Sequence, residues 1–148
     1  MKIERGILDT FPATTTRPWG YYDLFANNVR CTTKILFVRR GECLSMQYHF
    51  RRDQLYYILD DKFIIEYTEQ SMIDLVDVDI SEFLKNNLLY DIGFNGSAYY
   101  FKRGHVHRVK YIGDKALGRI LDVAFGLNDE EDIVRIKDEY GRETEKDI

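Results

Sequence analysis

Histidine occurs three times in this chain of 148 residues. His105 and His107 flank a single valine, and His49 follows Gln47 by two positions. Alternate residues of a strand share a face, so Gln47 and His49 project together, as do His105 and His107. Gln54 lies a short way beyond His49. The polar connection Phe50-Arg51-Arg52-Asp53 is suited to a turn, after which Gln54 opens an antiparallel strand and faces His49 across the pair. Imidazoles and amides gathered at strand ends have two chemical uses. They ligate a transition metal, for which imidazole is a strong donor and amide a weak one. Alternatively they line a polar cavity and satisfy one another or water. Spacing alone leaves both open.

The elements that must position these side chains read as short strands. Runs at 21–25, 32–38, 43–49, 54–59, 62–68, 97–101, 105–111 and 117–125 alternate or are wholly apolar. Turn residues separate them, among them Asp60-Asp61, an Asn95-Gly96 hairpin turn and Lys102-Arg103-Gly104. Regular short strands with such turns predict an all-β sandwich or barrel. Residues 1–16 read as an irregular lead-in, and 17–142 as one domain. An insertion over about 69–95 contains a short helix at 79–87, with Asp79 or Ser81 as its cap. A second helical segment is expected over 129–138, with Ile133 and Ile136 inward, ahead of a frayed tail at 143–148.

Composition narrows the classes. Hydrophobic residues make up 45% and charged residues 31%, which suits a folded globular domain. A net charge of −4 with mixed signs excludes the basic footprint of a nucleic-acid binder. No apolar run approaches the roughly 18 residues of a membrane span. The N-terminus MKIERGILDTF lacks the apolar core of a secretory signal. A cytoplasmic location is expected, where Cys31 and Cys43 stay reduced.

Four blocks carry a family resemblance. Arg17-Pro18-Trp19-Gly20-Tyr21-Tyr22 comes first, then Gly41-Glu42-Cys43-Leu44-Ser45-Met46-Gln47-Tyr48-His49. Gly104-His105-Val106-His107-Arg108 follows, then Glu131-Asp132-Ile133-Val134-Arg135 with Asp138-Glu139-Tyr140-Gly141-Arg142. In this order they resemble the type II mannose-6-phosphate isomerase domain, the C-terminal part of bifunctional mannose-1-phosphate guanylyltransferase/mannose-6-phosphate isomerases. The resemblance implies a cupin, a jelly-roll barrel of double-stranded β-helix type. It also implies a divalent metal, zinc first, on Gln47, His49, Gln54 and His107. The family carries Glu where this chain has Gln54, so the resemblance implies a site without its anionic ligand, with metal weakened or lost. Phe50 and Arg51 stand where the family has His-His. No nucleotidyltransferase portion precedes the domain, so guanylyl transfer is not expected.

Isomerisation of an aldose phosphate to a ketose phosphate passes a proton from C2 to C1 through an enediol. It needs an electrophile, a base and cations for the phosphate. His105 and Lys34 are the catalytic candidates, and Arg17, Arg51, Arg103, Arg108 and Arg142 the substrate-binding ones. Two other readings stay open. One is an impaired cupin that binds a sugar phosphate, a nucleotide sugar or another small anion. The other is a metal-independent nucleotide-sugar isomerase or epimerase with His105 or His107 as base. A homodimer is the state the resemblance implies.

Overall fold

A computed structural model of the chain describes residues 13–126 and 129–142. The strands are β1 (Ala13–Arg17), β2 (Gly20–Asn27), β3 (Thr32–Arg39), β4 (Met46–His49), β5 (Gln54–Ile58) and β6 (Phe63–Ser71). Helix α1 (Ile80–Asn87) is followed by β7 (Leu88–Gly93), β8 (Ala98–Phe101), β9 (His105–Tyr111), β10 (Leu117–Ala124) and β11 (Ile133–Lys137). They form a six-stranded sheet, β1-β2-β3-β10-β5-β8, and a five-stranded sheet, β11-β4-β9-β6-β7. All pairings are antiparallel, and the two sheets face each other as the expected jelly-roll.

Period-two burial creates the interior. In β5, Gln54, Tyr56 and Ile58 are buried while Tyr57 is exposed; in β10, Gly118, Ile120, Asp122 and Ala124 point inward. Val38, Ile58, Phe63, Ile65, Val109 and Ile120 fill the apolar part between the sheets. Each fully buried side chain of this size contributes about 1.5–3 kcal/mol. A second cluster covers the outside of the five-stranded sheet, where Phe83 of α1 joins Met46, Tyr48, Val106 and Val134. Strand β4 is therefore buried on both faces, with Met46 and Tyr48 outward into that cluster and Gln47 and His49 toward the barrel interior.

The Arg-Pro-Trp-Gly block is the two-residue connection of the β1–β2 hairpin, in which Arg17 pairs with Gly20. Gly20 lies against Phe37 of β3, and any Cβ there would collide with the Phe37 carbonyl. Buried Trp19 then packs into the interior cluster.

Several expectations change. Residues 13–16 are not irregular: they belong to β1, while residues 1–12 of the expected lead-in and the tail at 143–148 lie outside the described residues. Within 69–95, α1 forms as expected, with Asp79 Oδ1 accepting from the Glu82 amide at 2.9 Å. The segment also supplies β7, which pairs with β6. Asn95-Gly96 turns the chain from one sheet to the other and is not a hairpin. The helical segment expected over 129–138 is one 3-10 turn, Glu130–Asp132, and then β11. The β-branched pattern Ile133-Val134-Arg135-Ile136 favours pairing with β4, which buries Val134 on the second cluster. No helix among the described residues is long and apolar enough to cross a membrane.

Candidate functional site

Gln47 of β4 sits directly across from His107 of β9 in the five-stranded sheet. Gln54 does not face His49 across a strand pair, as expected. The connection 50–53 carries the chain to the other sheet, and Gln54 reaches the histidines across the barrel interior. Asp132 pins this crossing, since its Oδ1 accepts the Phe50 and Arg51 amides at 3.0 and 2.9 Å. The result is a tight convergence. Gln54 Oε1 lies 3.1 Å from His49 Nε2 and 2.9 Å from His107 Nε2. Gln54 Nε2 donates to Asp122 Oδ1 at 2.8 Å. Ser45 Oγ donates to Gln47 Oε1 at 3.2 Å. His107 Nδ1 is 3.1 Å from the His105 carbonyl, and its ring stacks on Phe101.

Burial sets the protonation. It lowers the pKa of His107 to about 4 and that of His49 well below the ordinary value, helped for His49 by His107 and Arg52. Both rings are neutral near pH 7. Burial raises the Asp122 pKa, opposed by Lys34, Gln54 and Arg52. Lys34 is lowered by burial, opposed chiefly by Asp122, and its Nζ stands 4.4 Å over the Tyr22 ring.

Beside this cluster lies a cavity of about 60 Å³ whose charged lining is Arg17, Lys34, Arg52, Arg135, Arg142, Asp122 and Glu130. Cations outnumber carboxylates there, although the chain as a whole is net negative. Such a lining suits an anion. Glu130 spans the mouth, reaching Arg135 at 2.8 Å and Arg17 at 3.4 Å. Arg142 is held by Asp138 through two bonds of 2.9 Å.

The candidates divide. Arg17, Lys34, Gln47, Gln54 and Arg142 line the cavity, and His49 and His107 lie behind Gln54. His105 does not join them. Its Nδ1 is 2.9 Å from the Thr68 carbonyl, and it lines a separate surface hollow with Arg103. Arg51 is exposed and pairs with Asp129 at 3.2 Å. Arg108 is on the outer face of its sheet, bonded to Glu66 through both its Nε and Nη2, in a groove beside α1. Sequence reasoning missed Asp122, Arg52 and Glu130. For Asp122 a signal existed: it shares the inward phase of Ile120 and Ala124.

Among the described residues, no three His, Cys, Asp or Glu side chains converge as a metal set. The converging set is two imidazoles and amides, and it fits a divalent cation on its chemistry. Both His107 nitrogens face acceptor oxygens, the His105 carbonyl at 3.1 Å and Gln54 Oε1 at 2.9 Å, and the tautomer with its proton on Nδ1 turns the Nε2 lone pair inward for a cation. Gln54 presents oxygen to the same point. His49, His107, Gln54 and neighbouring Gln47 are the side chains able to hold a metal.

A family model described as the C-terminal part of mannose-6-phosphate isomerase matches residues 8–96. A mannose-1-phosphate guanylyltransferase of Sinorhizobium fredii is 27% identical over 131 residues, which are 88% of this chain and 22% of that protein. Among solved structures, the capsular polysaccharide assembling protein CapF of Staphylococcus aureus superposes with a TM-score of 0.66 at 11% identity, covering 85% of this chain and 34% of that one. Oxalate decarboxylase of Bacillus subtilis gives 0.64 at 11% identity over 84% and 30%. KdgF of a Halomonas species gives 0.59 at 13% identity over 80% and 90%. At these identities the structural likeness concerns the fold, which is a cupin.

Proposed function

Because the chain belongs to the mannose-6-phosphate isomerase C-terminal family, we propose that it is a metal-assisted sugar-phosphate isomerase, interconverting an aldose phosphate and its ketose isomer. The observation that carries this reading is the convergence of His49 Nε2, His107 Nε2 and Gln54 Oε1 at the wall of a cation-lined cavity. The chain spans about a fifth of its guanylyltransferase relative, and guanylyl transfer is no part of the proposal.

A divalent cation, which His49, His107, Gln54 and Gln47 would hold, would supply an electrophile for the substrate carbonyl. Lys34 is the base. Burial lowers its pKa, and Nζ takes the proton from C2 and returns it to C1 while the O2 hydroxyl proton passes to O1. Asp122, beside it, favours the ammonium that forms in between. Arg142 receives the phosphate in an orientation already set by Asp138, with Arg17 in the same cavity lining. The cavity of about 60 Å³ is smaller than a sugar phosphate. Entry therefore requires Arg17 and Arg135 to exchange Glu130 for the phosphate. A cytoplasmic setting and a homodimer belong to the same proposal.

A second reading draws on one observation: the converging side chains include no carboxylate. On that reading the cavity binds a sugar phosphate or nucleotide sugar without turnover. Metal analysis and a coupled assay separate the two. The isomerase reading expects zinc or manganese near one equivalent, and mannose 6-phosphate converted to fructose 6-phosphate. Thermal stabilisation by mannose 6-phosphate without turnover supports the binder. Neither effect sinks both.

A further inference from the structure

Gln54 is held from behind. Its Nε2 donates to Asp122 Oδ1 at 2.8 Å, and both residues are buried, at 4% and 6% exposure. A carboxylate only accepts, so the amide nitrogen must face Asp122 and the amide oxygen must face the histidines. Rotated by half a turn, the same amide would point two N–H groups at His49 and His107. It would then donate to their Nε2 lone pairs and close the site to any cation. Oxygen-first, Gln54 Oε1 lies 2.9 Å from His107 Nε2 and 3.1 Å from His49 Nε2, where it accepts from a ring protonated on Nε2 and, once that nitrogen is deprotonated, is free to share a cation with it.

We propose that Asp122 is the positioning residue that turns Gln54 oxygen-first, so that a neutral amide serves as a metal ligand where a carboxylate would need no such help. The inference rests on the metal reading above and deepens it. Asp122 stands directly behind the ligand, within a group that also holds Lys34 and Arg52. The predicted dependence is a coupling. With Gln at 54 the site needs Asp122. With Glu at 54 either oxygen serves, and Asp122 becomes a like charge at hydrogen-bond distance.

The test measures cobalt absorption spectra and zinc affinity, by chelator competition, on metal-stripped protein. It compares the natural chain, Asp122→Asn, Asp122→Ala, Gln54→Glu, and Gln54→Glu combined with Asp122→Asn. Melting in chelator reports whether each variant folds. Asp122→Ala is expected to lower zinc affinity about 10- to 100-fold, as for other residues that orient a ligand. Asp122→Asn, similar in shape, keeps an acceptor, falls in between and carries the test if the alanine variant misfolds. The double variant is expected to recover affinity and a tetrahedral or five-coordinate cobalt spectrum, which a merely structural role for Asp122 would not produce. If the natural chain binds zinc and both Asp122 variants match it, the inference fails and the metal reading stands. If the natural chain binds no zinc, cobalt or manganese, both fail.

Discussion

Glu130 holds two arginines at once, and this sets the expected behaviour of single residues at the cavity. Glu130→Gln releases Arg17 and Arg135 for an incoming phosphate. The KM for mannose 6-phosphate is expected to fall about 5-fold, on the order of 1 kcal/mol; an unchanged or higher KM in steady-state assays would show that Glu130 does not compete with substrate. Lys34→Met is expected to lower kcat about 10²- to 10⁴-fold at unchanged metal content. A variant retaining full kcat would remove Lys34 from the base role. Part of this was legible in the residue order. Gln47, His49, Gln54 and His107 were named from spacing and family blocks, because strand alternation fixes which neighbours share a face. The arginines sorted poorly: Arg51, Arg103 and Arg108 sit near the histidines in sequence, yet a crossing, a turn and the opposite sheet face carry them away. Asp122 went unread as one carboxylate in an apolar strand, since its partner is far away in sequence.

Elements bring these residues to one place, and their turns are where single changes tell. Gly104 closes the β8–β9 turn with φ near +80°, and its amide donates to the His49 carbonyl at 2.7 Å. A Cβ there meets Ser71 Oγ and Ile73. Gly104→Ala is expected to cost about 2 kcal/mol in urea unfolding and to weaken zinc binding, because it moves the strand that carries His107. A neutral outcome would mean that the turn yields. Asp60, buried after β5, accepts from Arg119 and Lys115 at 2.8 and 2.6 Å. The Arg119 bond leads in lowering its pKa to about 2 from 3.8, against the opposing effect of burial. A depressed carboxylate stabilises above its unfolded value, and that contribution is lost as pH falls from about 4 through 2. Asp60→Asn should flatten the urea midpoint over that window; an unchanged pH slope would remove Asp60 from the acid response. Alternation made most strands readable. β11 was misread because charges surround its Ile-Val-Arg-Ile core, and β7 because it begins directly after α1.

At the scale of the whole molecule, β10 is the strand on which the six-stranded sheet depends. It pairs with β3 on one side and β5 on the other. A chain ending at Ala116 leaves β1-β2-β3 and β5-β8 unjoined, and no cooperative melting is expected by circular dichroism. A chain ending at Gly126 keeps β10 but loses β11, Glu130, Arg135, Arg142 and the Asp132 clamp. It is expected to melt cooperatively at lower temperature, without stabilisation by mannose 6-phosphate. Retained stabilisation would place phosphate recognition outside the C-terminal segment.

The central place of β10 also has a consequence for a chain still on the ribosome. Strands β3 and β5 leave the exit tunnel long before their shared partner has been translated. About sixty residues separate the end of β5 from the start of β10, or about 3–12 s of synthesis. For that interval the nascent chain carries two open strand edges rich in Ile, Leu, Tyr and Phe. Crowded polysomes should therefore convert part of the product into inclusion bodies, and slower translation or trigger-factor-like shielding should recover it. Yield in the soluble fraction at 18 °C against 37 °C is the readout.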